Sequence, residues 1–142
     1  MAAVLITGVN GFIGRTLYRK MEDEKWQIRG VVRRPVQIDY KTNNKANEKG
    51  IKANNICLVD DIGPQTDWTK VLIGIDAVVH LAARVHISAS HRDSISTFRW
   101  VNVQGTRNLA EAAAAANVKR FMKNCPEYPV RKHGELYLLK YC

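Results

Sequence analysis

The chain has 142 residues, 46% of them hydrophobic and 25% charged, which fits one soluble globular domain able to bury about two-thirds of its unfolded surface. A net charge of +9 raises nucleic acid as a partner, but the cations are scattered from Arg15 through Lys52 and beyond, with no basic block and no helix-turn-helix or zinc spacing, so nucleic acid is not the expected partner. The apolar start Met1–Thr7 has no basic leader and stops at Gly8, and the run Ile75–Ala83 is broken by Asp76 and His80, so neither reads as a signal peptide or a membrane span.

Val4-Leu5-Ile6-Thr7, β-branched and stopped by glycine, reads as a buried strand. A helix is predicted from Phe12 to Glu22, with Ile13, Leu17 and Met21 forming its apolar face at four-residue spacing. Gln27–Arg33 is the second strand, closed by Arg34-Pro35 because proline cannot continue a ladder. Val36–Asn54, polar and rich in Lys and Asn, reads as a mobile surface insertion. Ile56–Val59 is the third strand; Cys57 within it is expected to be a buried, inert thiol. With Cys125 and Cys142 it makes an odd set without metal-ligand spacing, which points to a reducing cytoplasm.

Asp67 is placed to N-cap a short helix through Trp68, Val71 and Leu72. Asp76–Ala82 is a fourth strand, apolar on both faces as a parallel strand buried under helices must be. A long helix follows from Arg92 to Ala116, with Ile95, Phe98, Asn102, Gly105, Leu109 and Ala112 along one face, and Val118–Phe121 begins a fifth strand. Strands alternating with helices imply right-handed βαβ units. The predicted fold is therefore an α/β, Rossmann-type doubly wound parallel sheet of order 3-2-1-4-5, with a ligand crevice where strands one and four diverge.

The sharpest local pattern is Thr7-Gly8-Val9-Asn10-Gly11-Phe12-Ile13-Gly14, lying between the first strand and the first helix. There one glycine permits the turn, one lets backbone approach a pyrophosphate and one lets the helix pack closely on the sheet. The phosphates would be held by free N–H groups and the positive end of the helix dipole. This motif resembles that of the extended short-chain dehydrogenases/reductases, the NAD-dependent epimerase/dehydratase family. Asp61-Ile62, His80-Leu81-Ala82-Ala83, Val101-Asn102-Val103-x-Gly105-Thr106 and Leu109-Ala110-Glu111-Ala112-Ala113 continue the likeness in order across residues 3–121. Asp61-Ile62-Gly63-Pro64 and His80 to His86 look most like bacterial nucleotide-sugar 4-epimerases or 4-ketoreductases.

The resemblance implies roles. Gly8, Asn10, Gly11, Phe12, Ile13 and Gly14 would line the pyrophosphate, and Asp61 and Ile62 would sit against adenine, the carboxylate accepting from its amino group. Leu81, Ala82 and Ala83 would pass beneath the ribose and nicotinamide. Asn102 would brace the active-site strand, either as a structural bridge or in direct contact with the chemistry. The cofactor is NAD(P); the end of strand two offers Arg33 and Arg34 and no carboxylate for a ribose 2′-hydroxyl, which tips the expectation to NADP(H). His80 reads as structural, and Arg84 and His86 fall in the loop after strand four. A nucleotide-sugar substrate and a homodimer are implied for the full-length family.

The likeness stops near Phe121. The family's Ser/Thr and Tyr-x-x-x-Lys pair lie beyond the fifth strand, yet no Ser or Thr follows Thr106. Tyr128 and Lys132 match the spacing, but Pro126 and Pro129 make the helix they would need a poor one, so no catalytic residue and no metal ligand is assigned. The sequence predicts a Rossmann domain over 1–121, an atypical and poorly ordered tail over 122–142, and a truncated or frameshifted coding sequence. Two other readings stay open: a dinucleotide-sensing module without chemistry, and a nonfunctional gene fragment.

Overall fold

The computed structural model describes residues 2–33, 55–84 and 95–123. The expected insertion at 36–54, the 85–94 stretch with His86, Arg34, and residues 124–142 with Tyr128 and Lys132 lie outside them, whereas Met122 and Lys123, expected to open the atypical tail, belong to the fifth strand. Five parallel strands form one sheet: β1 (Ala3–Thr7), β2 (Gln27–Arg33), β3 (Ile56–Val59), β4 (Ala77–His80) and β5 (Arg120–Lys123), in the order β3-β2-β1-β4-β5. This is the predicted Rossmann-like arrangement.

Strand residues alternate between two cores. On one face Val4, Ile6, Ile28, Val32 and Val79 pack with Tyr18 of helix α1 (Phe12–Asp23). On the other, Leu5, Val31, Val59, Val78 and Phe121 pack with Leu109, Ala110 and Ala113, and with Trp68 and Leu72 from the 66–75 segment. Burial on both faces is why the strands read as continuous apolar runs. The face of α1 differs from the expected one: Ile13 is 56% exposed, while Gly14 and Tyr18 are buried and Leu17 and Met21 only partly so. A Cβ on Gly14 would overlap the Gly8 carbonyl, so the helix sits on the turn through this glycine and rolls Ile13 outward.

The expected helix after Asp67 reduces to turns. Asp67 Oδ1 accepts the Thr69 N–H at 2.9 Å, and Leu72 N bonds Trp68 O at 3.0 Å for a single helical turn. The segment is too short to repay helix nucleation. Arg29 Nη1 ties its end down by donating to the Val71 and Ile73 carbonyls at 2.7 and 2.8 Å.

The long helix is confirmed but not uniform: α2 (Ile95–Phe98) runs through a π-helical segment (Arg99–Gly105) into α3 (Thr106–Ala115). The wider π turns carry the buried stripe to Val101, Gly105, Leu109 and Ala113, while Ile95 is 72% exposed and Ala112 only half-buried. Both main helices end on a left-handed residue, Lys25 at φ 62° and Asn117 at φ 57°. The next N–H reaches back five residues in each case, Trp26 to Met21 and Val118 to Ala113, which satisfies the terminal carbonyls. Cys57 is half-buried rather than fully buried, against the second core.

Candidate functional site

A crevice of about 210 Å³ opens at the carboxyl ends of the strands, where β1 and β4 part company. Gly8, Asn10 and Gly11 from the β1–α1 turn line it, with Arg33 at the end of β2, Ile62 after β3, and Leu81, Ala82 and Ala83 after β4. Val31, Val32, Arg84 and Val101 complete the lining; of these the sequence placed only Arg84 near the ligand, while Val101 figured as the start of a helix motif.

The turn is built by two close approaches. Gly8 adopts φ 69°, and a Cβ there would stand 2.8 Å from the Ala82 N and 2.9 Å from its Cα, so only glycine lets the β1 exit lie against the 81–82 backbone. Gly11 N bonds Gly8 O at 2.9 Å and starts α1, whose first turn has neither a side-chain cap nor an acidic residue. An uncapped N-terminus leaves amide N–H groups without intrahelical partners at the positive end of the dipole. Phe12 and Ile13 lie outside the crevice lining and are 92% and 56% exposed, whereas Gly14 is buried beneath the turn.

The wall after β3 is pinned from below by α3. Asn108 Nδ2 donates to the Gly63 and Thr66 carbonyls at 3.0 and 2.9 Å, and Thr66 Oγ1 donates to Asp61 O at 2.7 Å. Gly105 lets the helix approach, since a Cβ there would come within 3.0 Å of Ile62 O. Asp61 itself turns to its own backbone, accepting the Ile62 N–H at 2.7 Å. Its carboxylate lies 3.5 Å from Arg33 Nη1 across the β2–β3 side of the crevice. Both side chains are more than half exposed, so this pair adds little stability, but it brings the two residues singled out for the adenosine end together.

On the opposite side Asn102 acts as a bridge. Its Oδ1 accepts the Arg84 N–H and its Nδ2 donates to the Arg84 carbonyl, both at 2.8 Å, the pairing a neighbouring strand would otherwise supply. The amide therefore holds the backbone just after Leu81–Ala83, and Asn102 itself does not line the crevice.

His80 is 2% exposed and lies beneath this wall, not in it. Its Nδ1 is 2.6 Å from Thr7 Oγ1 and its Nε2 is 3.1 Å from Thr106 Oγ1. Burial, with the Lys123 ammonium nearby, pushes its pKa down to about 4, so the ring is neutral at physiological pH and both nitrogens are occupied. This is the structural histidine expected from sequence. Among the described residues no group of His, Cys, Asp and Glu side chains is placed to hold a metal ion, and no helix is long and apolar enough to cross a membrane.

A family model described as the NAD dependent epimerase/dehydratase family matches residues 4–124. The chain is 31% identical over 122 residues to the UDP-glucose 4-epimerase of Vibrio cholerae, covering 84% of this chain and 33% of that protein. It is 29% identical over 136 residues to an N-acetyl-alpha-D-glucosaminyl-diphospho-ditrans,octacis-undecaprenol 4-epimerase of Escherichia coli O157:H7, covering 92% and 35%. Among solved structures, MoeE5 in complex with UDP-glucuronic acid and NAD superposes with a TM-score of 0.63 at 26% identity, covering 87% of this chain and 36% of that one. The chain thus spans about a third of the length of these relatives.

Proposed function

The chain belongs to the NAD-dependent epimerase/dehydratase family, and from that premise we propose that it is the cofactor-binding portion of an NAD(P)-dependent nucleotide-sugar epimerase or reductase. The observation that carries this reading is the β1–α1 turn: Gly8 packed on Ala82 leaves the uncapped start of α1 facing an open crevice. A pyrophosphate fits there because backbone N–H groups and the helix dipole favour anions and the first turn of α1 carries no acidic side chain.

Gly8, Asn10, Gly11, Phe12, Ile13 and Gly14 form the pyrophosphate turn, Asp61 and Ile62 take the adenine, and Leu81, Ala82 and Ala83 lie under the ribose and nicotinamide. Asn102 serves by holding Arg84. Arg33 stands where a 2′-phosphate would arrive and favours NADP(H) over NAD(H). The bound dinucleotide supplies the hydride acceptor or donor; this chain's residues bind and orient it. No acid/base partner is assigned among the described residues, because His80, the hydroxyls of Thr7 and Thr106 and the Lys123 ammonium are committed to one another below the crevice. Residues 1–121 are proposed as the cofactor domain, and turnover of a nucleotide sugar is proposed to need groups beyond them.

The test is titration of the purified 142-residue chain with NADPH and NADH, comparing wild type with Gly11→Val. Among the described residues a Cβ at Gly11 would meet only Gly8 O, 3.2 Å away, so the variant is expected to fold with little relaxation. It puts a branched side chain where the pyrophosphate approaches, and binding should fall at least tenfold. Equal affinity in both proteins overturns the assignment.

A further inference from the structure

The end of β2 carries no carboxylate of its own, yet the fold brings one to it from the neighbouring strand. β3 pairs with β2 so that Val59 stands opposite Arg33. Two residues further on, Asp61 Oδ1 lies 3.5 Å from Arg33 Nη1. That carboxylate is held by its own backbone, since Oδ1 accepts the Ile62 N–H at 2.7 Å, and the segment around it is pinned by Thr66 and Asn108. At 3.5 Å the two groups form a loose ion pair rather than a tight fork, and with 54% and 57% of the side chains exposed neither locks the other in place. Arg33 lines the crevice and Asp61 lines the adjoining hollow with Asp60, so the pair stands where the two spaces meet.

A 2′-phosphate and a 2′-hydroxyl meet this pair differently. The phosphate brings nearly two negative charges at neutral pH, the hydroxyl none. A phosphate oxygen bonded to Arg33 Nη1 at about 2.8 Å stands no more than about 6 Å from Asp61 Oδ1. In water two like unit charges about 6 Å apart repel by an amount worth about threefold in binding, and a doubly charged group facing a single charge by about tenfold. If Arg33 instead swings away from Asp61 to take the phosphate, its ion pair is broken on that binding event alone. Either way the carboxylate weakens attachment of the phosphorylated dinucleotide and leaves the unphosphorylated one unopposed.

We infer that Asp61 is a specificity-determining residue: its carboxylate offsets Arg33 at the 2′ position and holds down the chain's preference for NADP(H) over NAD(H). The inference rests on the dinucleotide reading above and gives Asp61 a duty separate from the adenine contact. Adenine is common to both dinucleotides, so whatever Asp61 does there drops out of their affinity ratio.

The experiment is titration of the full 142-residue chain with NADPH and NADH, for wild type and Asp61→Asn, at low ionic strength and in about 1 M KCl, where the Debye length is about 3 Å. Asparagine keeps the Oδ1 that accepts from Ile62 and removes the charge. The quantity read is the dissociation constant for NADH divided by that for NADPH. Asp61→Asn should raise this ratio about three- to tenfold at low salt, and the gain should fall below about twofold in the concentrated salt. A purely structural loss would weaken both dinucleotides alike and leave the ratio where it was. A ratio that is unchanged, or that falls, overturns the proposal; a fall makes Asp61 a support for Arg33 rather than its counterweight. A gain undiminished in the concentrated salt overturns it as well, because the effect is then not one of charge. Should Asp61→Asn fail to fold, Asp61→Ser, which also removes the charge and keeps an acceptor, takes its place with the same expectation. Wild type that binds neither dinucleotide overturns the dinucleotide reading and this proposal with it, whereas binding of both with a ratio indifferent to Asp61 overturns this proposal alone.

Discussion

His80 links stability to pH in a way that can be isolated. Its pKa is about 4 in the folded chain against 6.5 for an unperturbed ring, chiefly because the buried cation would lose its hydration and secondarily because Lys123 repels it. As pH falls below 6.5 the unfolded chain takes up this proton first, so folding loses stability until the folded ring also titrates near pH 4. Above 6.5 the full contribution is present. A difference of about 2.5 units at 1.36 kcal/mol each corresponds to about 3 kcal/mol, an order-of-magnitude figure for so buried a group. The assay is urea unfolding of wild type and His80→Gln at pH 7, 6, 5 and 4. Asp67 and Asp76, held below the usual carboxylate value by hydrogen bonds from Thr69 and Lys119, titrate beneath this window and are common to both proteins. Wild type should therefore lose about 3 kcal/mol more than His80→Gln between pH 7 and pH 4. A difference between the two proteins that stays constant over that range refutes the argument.

Gly14→Ala should destabilise the fold by about 1–3 kcal/mol in urea unfolding, because the new methyl meets backbone at Gly8 and Val9, which cannot swing aside as a flexible side chain would. If NADPH is bound better than NADH, Arg33→Ala should abolish that preference by weakening NADPH alone, about tenfold, as measured by titration. A preference that survives in Arg33→Ala assigns the discrimination elsewhere.

The sheet was legible because its signal is local and redundant. Val4–Ile6, Val31–Val32 and Val78–Val79 are buried on both faces, so each strand announced itself as an apolar run, and right-handed crossovers left one strand order. Helix faces were read less well, for reasons a periodicity cannot contain. Ile13 has the right spacing for the core, yet the approach of Gly14 to Gly8 turns it to solvent. In the long helix the π segment changes the residues per turn midway, so a stripe drawn at constant pitch through Ile95 and Ala112 misses Val101 and Ala113.

The same division runs through the crevice. The glycine turn could be found because every feature it needs lies within eight consecutive residues, Thr7–Gly14, and its placement between a strand and a helix is itself a local property. Val101 lines the crevice from a helix that follows β4 in the chain, and Arg84 lines it with its backbone gripped by Asn102, 18 residues later. Lys123 is the extreme case. The sequence put it in the tail beyond Phe121, and nothing near it marks it as the last residue of a strand. Its position acquires meaning through register: β5 pairs with β4 so that Lys123 falls beside His80, which falls beside Thr7, more than a hundred residues away along the chain. The sheet's parallel register thus joins three strand ends, far apart in the chain, into one hydrogen-bonded row beneath the crevice wall.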